Sequence, residues 1–204
     1  MMIHIDPKNQ SERDNYKLLT GSIIPRPIAW VTTLADNGKV NAAPFSYFNI
    51  VTADPPMISV SVQRKQGERK DTARNAVREG EFVVHIGGES SIAKLNLTAA
   101  NLPPEESEVE HAGLTAVPSD MVRVPGIGEA KIRMECVLEQ AIPLGGTETS
   151  PSTDLLIGRI VRFHVDDTLL DGGRILADVL QPVSRLAGSN YARLGETFSL
   201  ERPQ

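Results

Sequence analysis

Along this chain apolar and polar positions alternate with period two in several short runs, and the period lengthens to that of a helix in only a few places. The clearest run is Ala130–Leu138. There Ala130, Ile132, Met134, Cys136 and Leu138 alternate with Lys131, Arg133 and Glu135, the pattern of a strand with one buried face. It places Cys136 in the core as a small apolar residue and Glu135 on the outer face. A second alternation predicts a strand over Met57–Val62, with Ile58, Val60 and Val62 inward and Ser59 and Ser61 on a small, polar face. Further strands are predicted over Ile28–Leu34, Val40–Asn49, Glu81–Ile86 and Leu155–Val165. Turn chemistry separates the runs at Asp36-Asn-Gly38, Asp54-Pro-Pro56, Gly145–Asp154 and Gly172-Gly173.

Helical spacing is scarcer. Asp14–Leu19 predicts a short helix ending near Gly21. Thr72–Glu79 predicts another, with Asp71 or Thr72 as its N-cap and Gly80 as its stop. A third helix starts at Ser90 or Ser91 and runs to about Ala100, with Ile92, Leu95 and Ala99 on one face and Pro103-Pro104 as its end. Pro25 and Pro27 hold Arg26 extended between them. Glu105, Glu106, Glu108 and Glu110 read as a solvated acidic loop, and Pro182–Leu194 closes the chain. Many short strands with two or three helices predict a mainly β fold, a closed barrel with peripheral helices, as one domain over residues 1–204.

Composition narrows the function. The 204 residues are 40% hydrophobic and 23% charged, with a net charge of -5. That describes an ordinary globular protein, and the acidic balance argues against nucleic acid as a partner. No apolar run is long enough to span a membrane, and MMIHIDPKNQ has no apolar core of an export signal. Cys136 is the single cysteine and the four histidines, His4, His85, His111 and His164, are scattered. The expectation is therefore a cytoplasmic protein without disulfide or structural zinc. The chain carries no G-x-S-x-G elbow, Walker A loop, H-E-x-x-H, or G-x-G-x-x-G after a strand. Chemistry borne by a cofactor needs none of these.

Two stretches offer such a cofactor a place. Asn41-Ala-Ala-Pro-Phe-Ser-Tyr-Phe-Asn49 combines small residues, aromatic surface and the polar side chains of Ser46 and Asn49. It reads either as a wall for a flat, polar-edged molecule or as an ordinary hairpin with an aromatic core face. Residues 63–78 hold Arg64, Lys65, Arg69, Lys70, Arg74 and Arg78 against Glu68 and Asp71, a local charge of +4, and lead into a helix start at Thr72. They read either as a phosphate site, since free N–H groups and the helix dipole favour an anion, or as a solvated basic helix.

Taken in order, Arg26-Pro-Ile-Ala-Trp-Val-Thr-Thr33, the 41–49 nonapeptide, Pro55-Pro56, Lys70-Asp-Thr72, Asn96-Leu-Thr98, Glu110-His-Ala-Gly-Leu114, Gly128-Glu-Ala130, Glu135-Cys136, Gly158-Arg159 and Pro182-Val-Ser-Arg-Leu186 resemble the flavin reductase-like, FMN-binding split-barrel family. That family includes flavin-reducing components of two-component monooxygenases and flavoredoxins. The resemblance implies a split β-barrel homodimer with one FMN per subunit. It implies an isoalloxazine along Ala43, Pro44, Phe45, Ser46 and Asn49, with Thr32 and Thr33 close by. It puts the phosphate at Lys70, Asp71 and Thr72 with Ser61 and Arg64 as neighbours, and brings Arg185 and Tyr191 near the cofactor. Trp30 borders the flavin or belongs to the core. Ala187-Gly188 departs from the Gly-Gly that relatives often carry. The implied activity is hydride transfer from NAD(P)H to FMN, supplying a partner oxygenase. The alternative is a flavoredoxin-like carrier exchanging electrons with a redox protein.

Overall fold

The computed structural model describes residues 1–103 and 105–203. Pro104, expected to help end the third helix, lies outside the described residues. In chain order the elements are α1 (Glu12–Ser22), β1 (Ala29–Leu34), β2 (Val40–Phe45), β3 (Phe48–Ala53), β4 (Pro56–Gln63), α2 (Asp71–Glu79), β5 (Glu81–Ile86), α3 (Ile92–Leu97), α4 (Glu108–His111), β6 (Ala116–Val117), β7 (Gly126–Ile127), β8 (Ile132–Leu144), β9 (Thr153–Val165), β10 (Leu170–Asp171), β11 (Arg174–Ile175), α5 (Ala177–Leu180), β12 (Val183–Arg185) and β13 (Tyr191–Arg193). Seven strands form one antiparallel sheet in the order β2-β1-β5-β8-β9-β4-β3. Its two edge strands, β2 and β3, are consecutive in the chain and joined through Ser46-Tyr47. The sheet thereby curls back on itself into a barrel split at that joint.

The single strand expected over Val40–Asn49 is therefore two. The break keeps both pieces paired: Ala29 to Leu34 take up Phe45 to Val40 on one side, and Phe48 to Ala53 take up Val60 to Pro56 on the other. The Ser61 N–H donates to the Tyr47 carbonyl at 2.8 Å and holds the joint in place. On β4 the alternation holds, with Ile58, Val60 and Val62 buried. Gly158 on β9 is where the Phe82 ring crosses, and a Cβ there would collide with it. The fully buried Phe82 ring contributes about 2–3 kcal/mol by leaving water.

Two other expectations are corrected. Helix α1 begins at Glu12, because the Ser11 Oγ accepts from the Asp14 N–H at 3.1 Å and so starts the helix earlier. The N-cap of α2 is Lys70 rather than Asp71 or Thr72, and no side chain caps it; Gly80 ends the helix as expected, left-handed at φ +72°. Met134 and Cys136 face the main core, as the alternation expects. Glu135 stays on the outer face, opposite Val83, yet is fully buried, because the loop of Asp120, Met121 and Val122 folds over it. Trp30 resolves as core: it is fully buried, and its indole N–H donates to the Thr98 hydroxyl at 2.9 Å. Among the described residues no helix is long and apolar enough to cross a membrane.

Candidate functional site

Strand β2, the β4–α2 connection and the segment after α3 enclose a cleft of about 530 Å³, within the range of small-molecule sites. Ala43, Pro44 and Phe45 form one wall, Lys65 to Thr72 the opposite one, and Glu108 lies at its floor. A smaller cavity of about 250 Å³ shares Pro44 and Phe45 with it and adds Ser46, Arg185 and Tyr191. On the other side of Gln66, which lines both, a larger groove of about 920 Å³ holds Ser61, Arg64 and Tyr47. Eleven of the expected site residues thus lie around adjoining hollows. Asn49 does not: it is exposed on β3, and its Oδ1 accepts from the Ile50 N–H at 2.8 Å.

Thr32 and Thr33 are fully buried. Thr32 donates to the Pro125 carbonyl at 2.7 Å. Thr33 joins a buried network that supports the cleft from beneath. The Asn41 Oδ1 accepts from the Thr33 hydroxyl at 3.1 Å and from the Thr72 hydroxyl at 3.0 Å. The Asn41 amide N–H then donates to Glu108 Oε2 at 2.9 Å, which also accepts from the Ala42 N–H at 3.1 Å. Glu108 is hence buried rather than part of a solvated loop. Burial raises its carboxyl above the usual range, and the bonds from Ala42 and Asn41 offset part of that rise.

The basic window divides into spent and unspent charge. Arg64 grips Asp154 through two bonds, at 2.9 and 2.8 Å, and Arg69 adds a third at 3.1 Å. Burial would raise the Asp154 carboxyl, but the hydrogen bonds from Arg64 and Arg69 outweigh it and hold it below its ordinary range. Arg74 pairs with Asp71, and Arg78 with Glu79. Among the described residues Lys65 and Lys70 make no ion pair, and both line the cleft. The first N–H groups of α2 lack a side-chain cap there. The cleft therefore offers an anion backbone donors and two cations, and offers a flat molecule the Pro44–Phe45 wall. Arg185 lies over the Tyr191 ring at 4.5 Å, and the Tyr191 hydroxyl donates to Asn96 at 3.0 Å.

Asn41, Glu108 and Asp154 were missed in the sequence. A lone Asn between Val40 and Ala42 in a strand was a legible signal for Asn41; Asp154, at the end of a polar loop, gave none. One grouping of metal-ligand types occurs among the described residues, Asp120, Glu135 and His164. Its Glu135 carboxylate is already filled by the N–H groups of Asp120, Met121 and Val122 and by His164.

Residues 20–179 match the flavin reductase like domain, and the chain belongs to that family. Its fold is the split barrel of flavin reductases. It is 66% identical to nitrilotriacetate monooxygenase component B from Bacillus cereus, with 98% of this chain and 99% of that chain covered and a TM-score of 0.97. It is 33% identical to 2-nitrobenzoate 2-nitroreductase NbaA from Pseudomonas fluorescens over 98% of this chain and 96% of that one, with a TM-score of 0.88. Identity to the flavoredoxin of Desulfovibrio vulgaris (Miyazaki F) is 25%, covering 87% and 91%, with a TM-score of 0.75.

Proposed function

We propose that this protein is an NAD(P)H-dependent FMN reductase that supplies reduced flavin to a partner oxygenase. The observation that carries the reading is the uncapped start of α2 beside Lys65 and Lys70, opening onto the Ala43-Pro44-Phe45 wall in a chain of the flavin reductase-like family. The residues fit FMN. A phosphate carries between one and two negative charges near neutral pH, and the open N–H groups and lysines supply matching donors. Ala43 to Ser46 would flank the ring. Lys70, Asp71 and Thr72 would surround the phosphate, with Thr72 and Thr33 bracing Asn41 beneath. Ser61 and Arg64 would border it from the adjoining groove, and Arg185 and Tyr191 from the smaller cavity. The uncapped helix start beside two lysines suits a terminal phosphate monoester, the group that FMN carries and FAD lacks, which favours FMN over FAD.

When bound, the flavin supplies the hydride and electron chemistry. The chain's part is to hold it, orient it and keep one face open to a nicotinamide; no side chain need move a proton for that step. Ile50 and Val51 on the edge strand β3 are 76% and 49% exposed. Such an apolar edge suits cover by a second subunit, in a homodimer. The buried, unpaired Cys136 suits a reducing cytoplasm. Likeness to nitrilotriacetate monooxygenase component B supports an oxygenase as the recipient. Likeness to a flavoredoxin supports the second reading, an FMN electron carrier serving a redox protein.

Anaerobic mixing of the FMN-loaded protein with NADH or NADPH separates the two. A reductase bleaches the flavin and goes on to reduce free FMN over many turnovers. Negligible bleaching by either nucleotide, with rapid reduction by a protein donor, would overturn the reductase in favour of the carrier.

A further inference from the structure

Arg26 is 6% exposed, and among the described residues no carboxylate pairs with it. Its guanidinium instead binds neutral acceptors from three parts of the chain. One nitrogen, Nη1, donates to the carbonyls of Thr20 at 2.8 Å and Ile23 at 2.6 Å, at the end of α1. Nη2 donates to the Leu186 carbonyl at 2.9 Å, and Nε to the Ser46 hydroxyl at 3.4 Å. Two backbone bonds, Arg26 N–H to the Arg185 carbonyl at 3.1 Å and the reverse at 2.9 Å, bind the same segments. The carbonyls at a helix end suit a cation, but they do not cancel its charge. A buried cation without a counterion costs several kcal/mol, so a purely structural brace would be served better by a neutral group.

What Arg26 joins explains its charge. Ser46 sits at the joint between β2 and β3, and Arg185 begins the turn leading to Tyr191; both line the 250 Å³ cavity beside the Pro44–Phe45 wall. We propose that Arg26 is a positioning residue for the flavin: it locks Ser46 and the 185–191 hairpin into one wall, and its uncancelled charge favours reduced over oxidised FMN. Reduction adds negative charge to the ring, and a cation in a low-dielectric setting is felt more strongly than one in water. Arg185, the other cation of this wall, is partly exposed and lies over Tyr191, so solvent screens it. The inference rests on the proposed FMN site.

The test measures dissociation constants of oxidised and reduced FMN, through the midpoint potential, for the wild type, Arg26→Gln and Arg26→Lys. Arg26→Gln should weaken reduced FMN about tenfold more than oxidised FMN, a fall in potential of about 30 mV for a two-electron couple. Arg26→Lys keeps the charge and loses the fork. It should weaken both forms together and leave their ratio within roughly threefold of wild type, since a point charge replaces a bidentate one. If Arg26→Gln does not fold, Arg26→Lys alone decides: unchanged affinity for both forms, or a tenfold change in their ratio, overturns the proposal. Equal weakening of both forms in a folded Arg26→Gln also overturns it, leaving Arg26 a brace. Failure of the wild type to bind FMN would instead sink the reading on which this rests.

Discussion

Two places in this barrel gather backbone N–H groups around a point where an anion belongs, and they differ in who provides the anion. In the loop before β7 the N–H groups of Asp120, Met121 and Val122 converge on Glu135 at 2.8, 2.6 and 3.2 Å, and His164 closes the remaining side. At the start of α2 the N–H groups open into a cleft with Lys65 and Lys70, and no side chain fills the place. The first arrangement satisfies itself and belongs to the fold. The second leaves donors and the exposed Lys65 and Lys70 facing a cleft, and under the proposed function the FMN phosphate takes them up. Arg64 and Arg69 make the same point in one window: they are as basic as Lys70, yet both are spent on Asp154.

The contrast breaks most visibly at Glu135. Glu135→Ala leaves three N–H groups and His164 without their acceptor, and should cost about 3–5 kcal/mol of stability. Urea denaturation measures it, and the FMN affinity of the folded fraction should not change. A loss below about 1 kcal/mol, the net worth of one ordinary hydrogen bond, would mean the loop is not built on that carboxylate.

His85 sharpens the same side. It is fully buried, donates to the Trp30 carbonyl at 2.8 Å through Nδ1 and accepts from the Ile127 N–H at 2.9 Å through Nε2. Burial first, and the nearby Arg133 charge after it, depress its pKa from 6.5 to about 4, against a smaller rise from the Trp30 bond. Between those values the unfolded chain binds a proton that the folded chain refuses. Stability should therefore fall as pH drops from about 6.5 to about 4, by on the order of 3 kcal/mol. His85→Gln should remove most of that slope; a pH profile of urea midpoints decides it.

On the open side the sign reverses: changes should affect binding and spare stability. Lys70→Glu removes an attraction and adds a repulsion, and should cost about 1.5–3 kcal/mol of FMN affinity, more than tenfold. Its melting point should stay within the small range of surface changes. Isothermal titration and a thermal melt test both halves.

Thr72→Ala should have the smallest effect. Its hydroxyl is spent on Asn41, so about 1 kcal/mol should be lost from stability rather than from phosphate contact. A variant that melts like wild type but binds FMN several-fold more weakly would return the hydroxyl to the ligand.

Much of this was legible in the sequence because it is local. Period-two alternation placed β4 and the start of β8, and Asn37-Gly38 and Gly80 marked turns whose left-handed backbone, φ +81° and +72°, favours glycine. The basic window and the small-residue nonapeptide were legible as local composition, and residues of both line one cleft. What escaped was non-local. Val40–Asn49 reads as one strand because nothing in it announces that its halves pair with different neighbours. The burial of Glu135 depends on the loop of Asp120, Met121 and Val122 folding back over the outer face. The spending of Arg64 on Asp154 joins residues 90 positions apart. Sequence showed six cations in the window but not which of them were already paired.

The central claim is that the open start of α2 receives the phosphate of FMN. The direct measurement is a titration of the wild-type protein with FMN and with riboflavin, which lacks only the phosphate. The account predicts that FMN binds more than tenfold tighter, and that Lys70→Glu weakens FMN while leaving riboflavin almost unmoved. Equal affinity for the two, or equal weakening of both by Lys70→Glu, would contradict it and leave the basic window a solvated surface.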